Sequence, residues 1–263
     1  MPETKQIVVN CDKHGERKLT HHLLNGSWYG SEICDLCRSE FDQQDKERKQ
    51  KKQQELAFAA RNAELKAAIG RAAIPPKYTG KGFDHYEIKS PEQRRIYNVC
   101  KDYAENFLAH RDTGRSLILV GSWGTGKTHL ACAIANYIMV ELRQTALYMS
   151  TSQAMRLIKS TYSQAATITT DQAIQQLVKP DLLILDEVGR QHGSQAEKHL
   201  LLEIIDARYQ QNKATILASN VSLDELSAYV TPQGVDRLCE NGGRLLVFNW
   251  ESARPTLTSI AAH

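Results

Sequence analysis

Long apolar runs are what this 263-residue chain most lacks. No stretch approaches the roughly 20 residues that a bilayer-spanning helix needs. Met1 to Asp12 also lacks the apolar segment of a secretory signal. Together these absences predict a protein without a membrane partner, soluble and cytoplasmic. Charge of one sign is scarce as well: 33 Lys and Arg against 30 Asp and Glu leave a formal net charge of +3. A strong nucleic-acid binder often carries a larger basic excess, so any nucleic-acid contact has to be a local patch or a surface shared in an assembly. Cysteine is sparse and uneven. Cys11, Cys34 and Cys37 lie near the N-terminus, while Cys100, Cys132 and Cys239 are scattered. In a cytosolic chain, clustered cysteines favour metal over disulfides. No internal repeat is present.

The composition is ordinarily globular, 41% hydrophobic and 24% charged, and the length accommodates one medium domain plus an accessory module. Three zones are predicted. Residues 1–40 hold the Cys/His cluster and short β-like runs such as Gln6–Val9. Residues 41–77 begin with a stretch rich in Gln, Lys, Arg, Glu and Ala, with no Pro or Gly before Gly70. That is helix composition over 40–72, with a thin apolar stripe at Leu56, Ala60, Leu65 and Ile69, and the run Ala73-Ile74-Pro75-Pro76 breaks it into a linker. Residues 78–263 alternate strands and helices. Predicted strands are Leu117–Val120, Ala146–Met149, Asp181–Leu185, Thr215–Ala218 and Leu245–Phe248. Predicted helices are His129–Arg143, Ser152–Ser163 and Glu197–Gln211. Such alternation implies a three-layer α/β domain with a mostly parallel sheet and helices on both faces.

The strand Leu117–Val120 runs into Gly121-Ser122-Trp123-Gly124-Thr125-Gly126-Lys127-Thr128 and then a helix beginning near His129. This is G-x-x-x-x-G-K-[ST] with the strand before it and the helix after it that distinguish a phosphate-binding loop from an ordinary glycine-rich turn. Glycines let the backbone curl so that its N–H groups face phosphate oxygens, and the helix N-terminus adds its positive end. Lys127 can reach the β- and γ-phosphates, and Thr128 can give its hydroxyl oxygen to Mg²⁺. The run Leu182-Leu183-Ile184-Leu185-Asp186-Glu187 is an apolar strand ending in two acids. Asp186 can hold the Mg²⁺ water shell, and Glu187 can polarise an attacking water. Asn220, at the end of the Thr215–Ala218 strand, can contact the γ-phosphate or that water; a turn-forming Asn is the alternative.

With these motifs in place the chain resembles the AAA+ superfamily, and more narrowly the DnaC/DnaI-type replicative helicase loaders, over roughly residues 78–258. The resemblance rests on Gly121–Thr128, Asp186-Glu187-Val188-Gly189, Ser219-Asn220, Val235-Asp236-Arg237-Leu238 and the segment Phe248-Asn249-Trp250-Glu251-Ser252-Ala253-Arg254. It implies that Arg237 is an arginine finger reaching a neighbour's γ-phosphate, so that the protein self-assembles through composite ATP sites; such a finger is worth about 10³–10⁵ in rate. It implies that Arg254 senses nucleotide or steadies the subunit interface. Nine residues follow Arg254, so no helical lid domain is expected, as in loaders of this group. It also implies single-stranded DNA binding through the helix 152–163. There Arg156, Lys159 and Tyr162 fall at i, i+3 and i+6 and combine cations with a stacking ring; Ser194 is a further DNA candidate. A solvated helix face is the competing reading of these residues. The implied partner is a hexameric DnaB-type helicase. A transposition helper ATPase of the IstB type, acting on double-stranded DNA, resembles the same domain and is the alternative. A non-hydrolysing adaptor is the third reading, and Glu187 and Arg237 argue against it.

The N-terminal residues Cys11-Asp12-Lys13-His14 and Cys34-Asp35-Leu36-Cys37 form two C-x₂-[CH] hooks separated by 19 residues. The two-residue gap lets both side chains of a hook meet one ion, so Cys11, His14, Cys34 and Cys37 are candidate zinc ligands. His21 and His22 are spare and could replace His14, and reduced, unligated thiols are the competing reading. DnaC-type loaders do not generally carry this module, and DnaI-type proteins carry a zinc domain of different spacing, so the metal reading rests on the hooks. The unusual N-terminus suggests a phage-encoded member. By analogy with loaders, the N-terminal part and the 41–72 helix should grip the helicase.

Overall fold

A computed structural model of the chain describes residues 3–189 and 194–253. The chain divides into two compact units, 1–63 and 64–263. The division falls inside the long helix, whereas the sequence placed breaks near 40 and 77, at either end of it.

The first unit opens with an antiparallel sheet of three strands, β1 (Thr4–Cys11), β2 (Gly15–Leu24) and β3 (Ser27–Tyr29). The β1–β2 pairing runs from Thr4 opposite His22 to Cys11 opposite Gly15. Asn25 and Gly26, both at positive φ (49° and 78°), make the two-residue turn from β2 to β3. Asn-Gly is the favoured sequence for such a turn, because its backbone twist matches that of the strands. Leu19 is buried and Ile7 and Val9 are half-buried on one face. That core is too small to hold a fold by apolar burial alone. The helix α1 (Asp35–Arg71) follows, 37 residues long with none of them buried. Its composition and local pairs sustain it; Asp45, for example, bonds Lys49 at 2.6 Å and Arg48 at 2.7 Å.

The second unit is a five-stranded, fully parallel sheet in the order β5-β6-β7-β4-β8. The strands are β4 (Leu117–Gly121), β5 (Ala146–Ser150), β6 (Leu182–Val188), β7 (Ala214–Ser219) and β8 (Arg244–Phe248). The three inner strands β6, β7 and β4 are apolar nearly throughout because both faces are covered. One face packs against α2 (Pro91–Glu105) and α4 (Lys127–Val140). The other packs against α5 (Thr151–Lys159), α6 (Thr170–Val178), α7 (Gln195–Gln210), α8 (Leu223–Val230) and α9 (Pro232–Cys239). A short α3 (Phe107–Thr113) leads into β4. This is the predicted three-layer AAA+-type α/β domain.

The structure differs from the sequence reading in three places. The expected helix 152–163 ends at Lys159 and continues as a tighter turn, Ser160–Tyr162. Helices α2, α3, α6, α8 and α9 were not foreseen. The Ala73–Pro76 break is packed into the second unit, with Ala72 and Ile74 buried and the Ala72 carbonyl accepting the edge-strand N–H of Tyr148 at 2.8 Å.

The sheet is held at its entry end by Arg208 of α7, which has no exposed surface. Its guanidinium donates to the carbonyls of Leu177 (2.8 Å), Val178 (3.0 Å), Pro180 (3.1 Å), Asp181 (3.4 Å) and Ala214, and to Thr215 Oγ1 (3.0 Å). It thereby satisfies the last carbonyls of α6 and ties together the starts of β6 and β7.

Candidate functional site

The loop between β4 and α4 turns at positions only glycine can occupy. Gly121 and Gly126 have φ of 144° and 97°. A Cβ at Gly121 would fall 2.2 Å from the Phe248 carbonyl oxygen, and one at Gly126 would fall 2.6 Å from the Tyr86 ring. Lys127 is buried, and its Nζ donates to the carbonyls of Gly121 (2.6 Å) and Ser122 (2.7 Å) and to Thr125 Oγ1 (3.3 Å). Its charge is therefore held at the centre of the loop.

Asp186 and Glu187 sit where the β6–β7 register shifts, between Leu185 and Val188. Glu187 takes a φ of 58° there, the kind of costly backbone conformation that clusters at functional sites. The Asp186 carboxylate is buried and fully engaged. Its Oδ2 accepts from Thr128 Oγ1 at 2.8 Å and from the Tyr148 hydroxyl at 2.8 Å, and its Oδ1 accepts from the Glu187 N–H at 2.7 Å. Burial, and then the adjacent Asp186 carboxylate, push the Tyr148 pKa well above the usual phenol range, so it is a donor.

Asn220 joins Lys127, Thr128, Asp186 and Glu187 in lining one cleft of about 610 Å³. That volume suits a nucleotide-sized ligand. The cleft extends beyond the phosphate loop to Tyr78, Tyr86 and Lys89, residues the sequence did not point to. His129 lies against Tyr78 and Tyr86, with ring centroids 5.8 and 5.5 Å away. Burial lowers its pKa, which leaves the ring neutral near pH 7. Burial likewise pushes the Tyr86 phenol up to about 12. The loop is fastened by three other residues that line the cleft: Trp250 Nε1 and the Tyr86 hydroxyl donate to the Thr125 carbonyl at 3.0 and 3.3 Å, and the Ala253 N–H donates to Gly124 O at 3.0 Å. Trp250 stood within a noted motif but without a role; Tyr86 carried no sequence signal.

The remaining candidates lie elsewhere. Arg237, on α9, does not line this cleft. It forms an ion pair with Asp206, and its guanidinium carbon is 5.5 Å from the centroid of the Tyr209 ring. Arg254 lies outside the described residues. Arg156 and Lys159 line a small hollow of about 170 Å³ with Glu187 and Tyr229, and Lys159 is bonded to Glu197 at 2.8 Å. Tyr162 is exposed, but it stands on the tighter turn after α5, so the three residues do not share one α-helical face as the spacing predicted. Ser194 is the N-cap of α7, accepting the Glu197 N–H at 3.3 Å.

In the first unit the two hooks converge. Ligand atoms of Cys11, His14, Cys34 and Cys37 all lie within 4.8 Å of one another, and the cysteines are free thiols. His14 Nδ1 is 3.3 Å from Cys37 Sγ and 3.7 Å from those of Cys11 and Cys34, and the Cys11 and Cys37 sulfurs are 3.5 Å apart. Tetrahedral zinc bonds imply ligand–ligand edges of about 3.5–3.8 Å, so the donor set fits that ion. The spare histidines are not part of the cluster. On its far side His14 Nε2 meets Glu40 at 3.2 Å, the carboxylate–imidazole pairing that orients metal ligands. The N–H groups of Lys13 and His14 pull the Cys11 thiol down to about 6, while the bond to Cys11, followed by desolvation, pushes Cys37 up to about 11.

Residues 45–238 match the family of IstB-like ATP-binding proteins. The chain is 32% identical over 190 residues to the replicative helicase loader DnaC of Buchnera aphidicola subsp. Acyrthosiphon pisum, covering 72% of this chain and 76% of that protein. It is 28% identical over 214 residues to the Escherichia coli (strain K12) replicative helicase loader DnaC, covering 80% and 85%. Among solved structures, the crystal structure of the DnaC helicase loader superposes with a TM-score of 0.59 at 25% identity, covering 66% of this chain and 99% of that one.

Proposed function

The chain belongs to the family of IstB-like ATP-binding proteins and is an ATPase resembling the DnaC/DnaI-type loaders, and on that premise we propose that it loads a hexameric DnaB-type replicative helicase onto single-stranded DNA during replication initiation. What carries the reading is the extent of the likeness: the replicative helicase loader of Escherichia coli aligns over 80% of this chain. The cleft supports an ATP-hydrolysing mechanism. Lys127 and the loop N–H groups hold the phosphates, Glu187 orients the attacking water, and Asn220 stands beside the γ-phosphate position. Thr128 and Asp186 offer oxygen donors 2.8 Å apart, a donor type suited to Mg²⁺, which neutralises charge between the phosphates when bound. Arg237, and Arg254 outside the described residues, act on a neighbouring copy's nucleotide or on the interface, so hydrolysis depends on assembly.

Single-stranded DNA is bound at Arg156, Lys159 and Tyr162, with Ser194 acting through the α7 cap. The N-terminal unit carries a structural zinc on Cys11, His14, Cys34 and Cys37. The helicase is gripped by this unit and by α1, whose 37 residues are all at least partly exposed. The place of action is the cytoplasm, and among the described residues no helix is long and apolar enough to cross a membrane.

The alternative is the IstB-type reading, a transposition helper on double-stranded DNA, the type after which the matched family is described. Co-purification with the host replicative helicase, with and without ATP, separates the two. Helicase capture is expected. No capture, together with ATP-dependent coating of duplex DNA, would overturn the loader reading.

A further inference from the structure

Asp186 is the carboxylate on which the cation-holding half of the site depends, and it is held by a residue that plays no part in phosphate binding. Tyr148 is on β5, opposite Ile184, and Ser150 is opposite Asp186. Alternate residues of a strand share a face. Tyr148 is thus the diagonal neighbour of Asp186 on the α4 side of the sheet, where Thr128 stands. The Tyr148 side chain is buried, and its hydroxyl bonds Asp186 Oδ2 at 2.8 Å. The same oxygen accepts from Thr128 at 2.8 Å.

These two bonds are not equivalent. Thr128 has one hydroxyl, whose proton goes to Asp186 while its lone pairs are left to face a cation, so its orientation serves two tasks. Tyr148 has no second task, and its ring is packed among the buried apolar residues on that face. The Glu187 N–H restrains only Oδ1. Without Tyr148, Oδ2 would be held by Thr128 alone, the residue whose oxygen also has to face the cation.

We propose that Tyr148 is the positioning residue of the cation site, fixing the Asp186 carboxylate toward Thr128 so that the two present their oxygens as one cradle. This rests on the reading of Thr128 and Asp186 as the Mg²⁺ holders. Partners of this kind, one bond removed from the metal, typically contribute 10–100-fold to metal affinity.

The test uses the full chain with a non-hydrolysable ATP analogue and Mn²⁺ as the spin probe, bound metal being counted by electron paramagnetic resonance. Tyr148→Phe keeps the ring and removes only the hydroxyl. It is expected to weaken Mn²⁺ binding about tenfold, with nucleotide affinity in the absence of metal and the melting temperature both close to the parent's. Thr128→Ala is run alongside. If Thr128→Ala weakens Mn²⁺ binding and Tyr148→Phe does not, the positioning role is wrong while the cation site stands. If neither changes Mn²⁺ binding, the cation reading itself fails and takes this inference with it. If Tyr148→Phe weakens nucleotide binding equally with and without metal, its role is packing and the proposal is overturned.

Discussion

Replacing Arg208 by Met should destabilise the ATPase unit more than any change at its surface. The parent side chain is wholly buried and donates to five carbonyls and one hydroxyl. Met fills much of the same volume but donates nothing. Each hydrogen bond from a charged donor contributes about 1.5–3 kcal/mol, and each buried acceptor left unpaired costs about 1–3 kcal/mol. A simple sum overstates the loss, because some carbonyls will recruit water. Burial of the guanidinium also carries a desolvation cost, which pulls its pKa down to about 9 and which Met relieves, so about 4 kcal/mol is taken here, the size of two to three carbonyls left unpaired at about 1–3 kcal/mol each. At roughly 2–4 °C per kcal/mol for a unit of this size, the melting temperature should fall by about 8–16 °C. Differential scanning calorimetry of the full chain, or circular dichroism at 222 nm, reads this directly. Arg208→Lys keeps the charge but replaces a five-donor fork by three donors on a point charge, so it should recover only a minor part. A Met variant melting within about 3 °C of the parent would refute the reasoning, as would full rescue by Lys, which would make the charge rather than the fork decisive.

Lys127→Ala should abolish ATP binding by isothermal titration, because it removes the cation at the loop's centre; retained binding would mean the backbone N–H groups suffice. Arg237→Ala should leave ATP binding intact and remove the assembly-stimulated part of hydrolysis, seen as loss of the rise in specific activity with protein concentration. If dilute and concentrated enzyme are affected alike, the trans role is wrong. Purified protein should carry about one zinc per chain by mass spectrometric metal analysis. Chelation or Cys34→Ser should unfold the N-terminal unit while leaving the nucleotide cleft working, and a metal-free protein with that unit folded would refute the site.

The residues of the cleft's phosphate-loop side were legible because their motifs have fixed spacing next to a strand. Gly126, Lys127, Thr128, Asp186 and Glu187 all reach one cleft for that reason, and Cys11, His14, Cys34 and Cys37 converge as two short hooks. Helices α6, α8 and α9 were not legible from apolar periodicity, being only 8–9 residues long. Their caps were the usable signal: Thr169 with Gln172, Ser222 with Glu225 and Thr231 before Pro232 are all present in the structure. The break at Lys159 had no such mark, which is why Tyr162 was placed on the wrong kind of turn. Tyr86 and Tyr148 stayed hidden because their roles come from tertiary proximity, across 39 and 38 residues of sequence respectively. No local pattern encodes such a contact.

The grip of Tyr86, Trp250 and Ala253 on the phosphate loop bears on affinity. Peptide units are planar, so fixing a carbonyl fixes the amide that follows it. With the Gly124 and Thr125 carbonyls bonded, the orientation of the N–H groups that follow them is set before any nucleotide arrives. The loop therefore gives up little conformational entropy on binding, and more of the contact energy remains as affinity. The same fastening ties the loop to residues 250–253. A partner that peeled them away would return that freedom to the loop and remove part of the cleft's own lining, loosening the nucleotide on both counts.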